Sequence, residues 1–411
     1  MRNRCPPAIG LDFRRPKGYH DPVGCLRCGG SKSEKGVTEM RNRLLSTTCA
    51  RIVRATGLVV GLGALGVFAA PGRGFCGEDA AAAKKAAAEI RELTGAHTRI
   101  VWLQDGDENP APWGGGPKTR VMGLDTDDGK GVRPIFPDGG YSWVYFTPDG
   151  KGVACTRVTD GELCVVSANW DGSGLRKLVP KAWLAGVSSD PKGKFTWLYC
   201  QSNENGKFVI KRHRLDDPSV NEVVWDKNKA IGRFTVSTDG MMGAGVYDDP
   251  GTGPCGVFEL PNVAWHQVGN GCQPAMLPGV DPYRLWIFHG DHRSGSIFTN
   301  PTDQAKRTQQ RMSLADAPGT AGRHEICFPK WSNNVRFMVL SAPYTTPKNE
   351  DGIPFPGCES MGGKYKRYHD KVEISIGRLD EGLTKIEKWV QITTNERGDY
   401  LPEAWIEPAK K

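Results

Sequence analysis

Residues Tyr141–Leu178, YSWVYFTPDGKGVACTRVTDGELCVVSANWDGSGLRKL, decide the fold. Four short apolar runs are separated there by turn signals. Trp143–Phe146 ends at Pro148-Asp149-Gly150, and Gly152–Arg157 turns at Asp160-Gly161 into Glu162–Ala168. Asp171-Gly172-Ser173-Gly174 then leads to Leu175–Val179. Asp-Gly between β-rich runs marks a hairpin, because the turn needs a positive φ that glycine adopts freely. Four such strands cannot bury both faces alone, so the unit predicts neighbours of the same kind.

Weaker copies follow to the C-terminus. Units start near Tyr141, Trp183, Ile231, Gly271 and His324, each with an early turn such as Asp190-Pro191-Lys192-Gly193 or Thr238-Asp239-Gly240. A spacing of roughly 40–50 residues suits propeller blades rather than solenoid turns. The first unit has only three strands, at Arg99–Leu103, Arg120–Leu124 and Gly131–Phe136, and the missing one is Asp399–Glu407. The expected fold is all-β: a six-bladed β-propeller of four-stranded antiparallel blades, closed by pairing of the C-terminal strand with the first blade. Closure removes exposed sheet edges.

The composition agrees. With 52 Gly and 29 Pro in 411 residues and moderate hydrophobic content, a turn-rich β protein is favoured over a helical one. The formal charge of +8 lies entirely in residues 1–70, which hold twelve Lys/Arg and four Asp/Glu. A body of zero net charge gives no electrostatic case for nucleic acid. Residues 1–39 read as a disordered or untranslated extension, in which Cys25-Leu-Arg-Cys28 is half a zinc site without its second half. Residues 40–76 read as a signal peptide or anchor: Arg41, Arg43, Arg51 and Arg54 precede the apolar run Ala55–Ala70. That layout predicts export to the periplasm or outside the cell, with membrane tethering only through this segment. Residues 77–96 read as a short helical spacer, and residues 97–411 as the propeller domain.

Phe146-Thr-Pro-Asp-Gly-Lys151, with Leu163–Leu178, resembles the TolB-type (PD40, WD40-like) β-propeller repeat. Phe328-Pro-Lys-Trp-Ser-Asn-Asn-Val-Arg-Phe-Met338 is similar to secreted propeller proteins of unassigned function. The resemblance implies a periplasmic or extracellular propeller that binds proteins or glycans, and it implies no reaction. Some TolB-type arrays carry a serine-peptidase domain, but Gly357-Cys-Glu-Ser-Met-Gly362 has the wrong spacing for a nucleophile elbow.

In a propeller the loops between second and third strands share one face with the connections into each inner strand. Long or polar loops there are Gln104–Lys118, His289–Gly295 and Thr345–Lys371. Candidate binding residues on that face are Trp113, His289, Asp291, His292, His324, Glu325, Tyr344 and His369. His289, His292 and His324 could hold a divalent metal for lyase or hydrolase chemistry on a carbohydrate. The other reading is a non-catalytic scaffold with no cofactor, recognising a protein or glycan. Trp113 in a Pro/Gly loop suits stacking on a sugar or a protein partner, and the basic, aromatic run Lys364–His369 suits an acidic glycan. Trp143, Trp183, Trp197, Trp225, Trp286, Trp331 and Trp405 recur at like positions and are expected to pack between sheets. Eight cysteines follow the leader, and export would favour disulfides among them, with Cys155/Cys164 and Cys272/Cys327 as candidate pairs beside a reading as free buried thiols.

Overall fold

The turn Pro148-Asp149-Gly150 shows why the sequence needs glycine there. Gly150 has φ 67°, and a Cβ on it would lie 2.2 Å from the Trp405 ring. The Trp405 indole N–H donates to the Pro148 carbonyl at 3.2 Å, and Arg99 Nη1 donates to the Gly150 carbonyl at 2.6 Å. A repeat turn from early in the chain is thus packed against its last strand. The computed structural model describes residues 77–106, 114–159, 161–227, 229–248, 253–260, 263–321, 324–343, 372–395 and 397–409. The leader region, Trp113, Tyr344, His369, Cys76 and Cys358 lie outside these residues.

All sheet pairing is antiparallel. Tyr141–Phe146, Gly152–Thr159, Glu162–Asn169 and Arg176–Pro180 form one four-stranded sheet, and Trp183–Ser189 opens the next. Cys327–Trp331, Phe337–Ala342, Glu373–Leu379 and Ile386–Gln391 form another. In the closing sheet, Asp399–Ile406 pairs with Thr98–Gln104, which pairs with Arg120–Asp125 and then Arg133–Pro134. The register Arg99↔Trp405 and Ile100↔Ala404 is the seam that joins the two ends of the domain. Asp399 fastens it, accepting from Trp102 Nε1 at 2.9 Å, Gln104 Nε2 at 3.0 Å and Asn395 Nδ2 at 2.7 Å.

One sheet departs from the expected four strands. It has seven, from Ile231–Val236 to Thr308–Ser313, because Trp265–Met276 is a single twelve-residue strand. Its first part pairs with Gly253–Glu259 and its last part, from Cys272, with Arg284–Phe288. Residues 265–273 contain no Pro, and Asn270-Gly271 stays in strand geometry instead of turning.

One edge strand of each sheet and the long middle strand Trp265–Met276 touch in a cycle. Asp399–Ile406 contacts Tyr141–Phe146, which contacts Trp183–Ser189, then Ile231–Val236, Trp265–Met276, Cys327–Trp331 and Asp399–Ile406 again. The fold is therefore an all-β propeller around a central channel. Its core lies between successive sheets, filled by residues such as Trp102, Trp225, Trp286 and Tyr400. Five of the inner strands share a bulge in which two residues face one on the partner strand. The first bulged residue has a positive φ in each: Trp143, Arg233, Gln273, Phe328 and Leu401. Such bulges re-aim side chains and sharpen strand twist.

The helix Gly77–Thr94 does more than link segments. Ile90 and Leu93 are buried with Trp102, Met122, Leu124, Val390 and Ile392, so two apolar residues on one face dock it against the sheets beside the seam. The six described cysteines, Cys155, Cys164, Cys200, Cys255, Cys272 and Cys327, are buried free thiols. Neither candidate disulfide forms.

Candidate functional site

The loop after Arg284–Phe288 carries His289, Asp291 and His292, and the approach to Cys327–Trp331 carries His324 and Glu325. The structure brings His292 and Glu325 together: His292 Nδ1 lies 2.9 Å from Glu325 Oε2. On its other side His292 Nε2 lies 3.4 Å from Cys272 Sγ, and its ring stacks on Phe288 at 5.4 Å between centroids. Burial alone would push the imidazole pKa down. The hydrogen bonds with Cys272 and Glu325, together with the Glu325 charge, outweigh it and hold His292 well above the ordinary histidine value. A carboxylate, imidazole and thiol in line resemble a nucleophilic relay. The Cys272 thiol, however, is fully buried in the core between sheets, with no surface open to a substrate.

His289 is used differently. Its Nδ1 lies 3.0 Å from Ser294 Oγ and its Nε2 2.9 Å from Ser296 Oγ, so both ring nitrogens are taken by hydroxyls. Burial pushes its pKa down. Asp291 accepts from the Arg293 and Ser294 backbone N–H groups, both at 3.0 Å, and from the Ser294 hydroxyl at 2.7 Å. Partial burial would raise that carboxyl, but these donors prevail and hold it below its usual range. Arg293 donates to the carbonyls of Thr320 at 2.9 Å and His324 at 2.8 Å, which pins the two loops together. The three histidines therefore do not converge as one ligand set. Among the described residues, no group of three or more His, Cys, Asp or Glu side chains could hold a metal ion.

A second feature of this face was not legible as a site. A cleft of about 270 Å³ is lined by Gly106, Pro117, Lys118, Arg120, Asp138, Gly139 and Arg397. It sits above the seam, where the Asp105 N–H donates to the Gly398 carbonyl at 2.8 Å. Gly106 leaves the space: a Cβ there would lie 3.1 Å from Lys118 Cβ and 3.6 Å from Arg397 Nη1. Lys118, Arg120 and Arg397 are exposed. The carboxylate of Asp138 is already engaged by the Tyr141 hydroxyl at 2.6 Å and by Arg157, so the described lining side chains carry net positive charge. Residues 118 and 397 are far apart in sequence, and only ring closure makes them neighbours. The cleft adjoins in sequence the loop that carries Trp113.

The expected tryptophan packing holds for Trp197, Trp225, Trp286, Trp331 and Trp405, all buried. Trp143 and Trp183 instead line a small cavity at the channel, together with Tyr145, Leu184, Ala185, Gln201, Arg233 and Phe234.

The closed ring of antiparallel sheets, bearing polar loops on one face, defines a β-propeller. Solved structures similar to the chain include TolB from Acinetobacter baumannii, at 13% identity over 77% of this chain and 70% of that one, with a TM-score of 0.48. A chain of a nidogen/laminin complex is 10% identical over 75% of this chain and 98% of that one, TM-score 0.48. The periplasmic gluconolactonase PpgL of Pseudomonas aeruginosa is 13% identical over 75% and 99%, TM-score 0.43. No family model matches the chain, and no curated protein matches it in sequence. Among the described residues, no helix is long and apolar enough to cross a membrane.

Proposed function

We propose that the chain is an exported, non-catalytic, six-bladed propeller that binds an acidic glycan on its loop face, in the cleft formed by Lys118, Arg120 and Arg397. The observation that carries this reading is the cleft itself: three exposed cations around a glycine-floored space, with the one lining carboxylate engaged elsewhere. Carboxylate or sulfate groups on a sugar chain complement that field, and guanidinium is the group best shaped to meet them. The blade count follows from dividing Trp265–Met276 where its pairing changes hands, at Gly271 and Cys272. The division yields two further four-stranded units and six inner strands around the channel. Export is supported by the basic and apolar segment Arg41–Ala70.

The 289–295 loop supports a scaffold role, since its polar groups are spent on holding loops in place. Rigid loops on a rigid frame suit recognition. The test is calorimetric titration of purified protein with polygalacturonate and with neutral dextran. Polygalacturonate binding that weakens with salt and falls about tenfold or more in the double variant Arg120→Glu/Arg397→Glu is expected. Equal affinity for dextran, or an unchanged double variant, contradicts the glycan reading and leaves a protein as the partner to seek. Polysaccharide turnover that disappears in His292→Ala, together with metal in the purified protein, would instead establish the metal-assisted alternative.

A further inference from the structure

We propose that the central channel binds a small monocarboxylate against Arg233. Arg233 is the bulged residue of Ile231–Val236, at φ 53°, and its guanidinium reaches across the ring to lie 5.6 Å from the Phe328 ring centroid. It also lines the cavity shared with Trp143, Tyr145, Trp183 and Gln201. Its Nε and Nη1 are shielded from solvent and have no hydrogen-bond partner among the described residues.

A guanidinium has five N–H donors and keeps its charge in any protein setting. Leaving such donors buried and unmet is costly, and a buried charge is ordinarily paired. Among the described residues the channel does not supply the pair: the Glu403 carboxylate is committed to Lys330 at 3.5 Å and to the Phe146 N–H at 3.1 Å. Lys330 sits over the Tyr145 ring at 4.1 Å, and the Tyr145 hydroxyl donates to the Ala185 carbonyl at 3.0 Å. Among the described residues, Arg233 and Lys330 against Glu403 leave an excess of one positive charge, which one monovalent anion would balance.

The cavity fixes its size. Its volume is about 30 Å³, and a water needs ~10–15 Å³ by this measure. Two water-sized positions match the two oxygens of a carboxylate. The aromatic walls lower the polarity around the guanidinium and strengthen the attraction at short range. Sulfate carries two charges against the one left unbalanced among the described residues. This site is distinct from the loop-face cleft and depends on none of its residues.

The experiment is calorimetric titration of the full chain with sodium acetate, with sodium chloride, and with acetamide as the neutral isostere, at constant ionic strength. Saturable acetate binding is expected, with none for acetamide, and a loss of about tenfold or more in Arg233→Met. Tryptophan fluorescence of the wild-type chain should change with acetate along the same curve, since Trp143 and Trp183 line the cavity; this readout stands if the variant does not fold. Equal responses to acetate and acetamide, chloride binding without acetate binding, no binding at all, or full acetate binding by a folded Arg233→Met would each overturn the proposal.

Discussion

The loop 289–295 and the channel wall both gather charged and hydrogen-bonding side chains, and they treat them oppositely. In the loop, His289, Asp291, His292, Arg293 and Ser294 all bond to neighbours within the fold. In the channel, Arg233 keeps buried nitrogens without acceptors among the described residues, while Lys330 and Glu403 take each other. His289 and His292, which look like ligands in the sequence, both hydrogen-bond within the fold. The Arg233 guanidinium, whose bonding capacity is not met among the described residues, is marked by no local motif.

Four substitutions sharpen that contrast. The largest effect is expected in the channel: Glu403→Ala strands the Lys330 ammonium, 19% exposed, and should cost about 3 kcal/mol in urea unfolding. Burial already pushes the Lys330 pKa down and the Glu403 pKa up, so the pair has little to spare. A cost under about 0.5 kcal/mol, the level of an ordinary surface change, would mean the pair is hydrated. Next comes His292→Gln, read against pH. The folded pKa of His292 is raised by Cys272 and Glu325, so its stabilisation is complete below its unfolded value of about 6.5. It is lost as pH rises through the folded value. Wild type should therefore lose stability above about pH 6.5 relative to the variant, and parallel curves would show that the imidazole carries no such charge.

A smaller effect is expected at the cleft. Gly106→Val fills the space between Lys118 and Arg397, crowds the Lys118 carbonyl, and should weaken acidic-glycan binding several-fold at a stability cost of about 1 kcal/mol. The smallest belongs to Arg311→Ala. Its contact with Asp291 is 3.8 Å at an exposed position, and such pairs contribute about 0–1 kcal/mol. A larger loss would show that the loop depends on its surface charges.

The hairpins were legible because Asp-Gly and Pro-Asp-Gly encode the turn chemically. The starts at Tyr141, Trp183 and Ile231 coincide with observed strand starts, since an apolar run after a turn leaves little choice. The seam was legible from a count: three strands at one end, a lone strand at the other. The bulges were not, because positive φ falls on Trp143, Arg233, Gln273, Phe328 and Leu401 rather than on glycine. A faint signal existed, since Gln273, Phe328 and Leu401 each precede a proline and proline within a strand marks a bulge. Two consequences were missed with them: Trp143 lines the channel, and Arg233 reaches into it. The cleft was illegible for a different reason. Lys118 and Arg397 meet only through closure, and no window of sequence contains both. Cys272 was read as a disulfide candidate; its partner is an imidazole, contributed by a loop twenty residues on.

Amide hydrogen exchange followed by mass spectrometry tests the closure on which cleft and channel both rest. Peptides covering Thr98–Gln104 and Asp399–Ile406 should exchange together and as slowly as Tyr141–Phe146, in one cooperative unit with the rest of the ring. Fast exchange of the C-terminal strand while Thr98–Gln104 stays protected would contradict the account, because an open ring brings neither Arg397 to Lys118 nor Glu403 to Lys330.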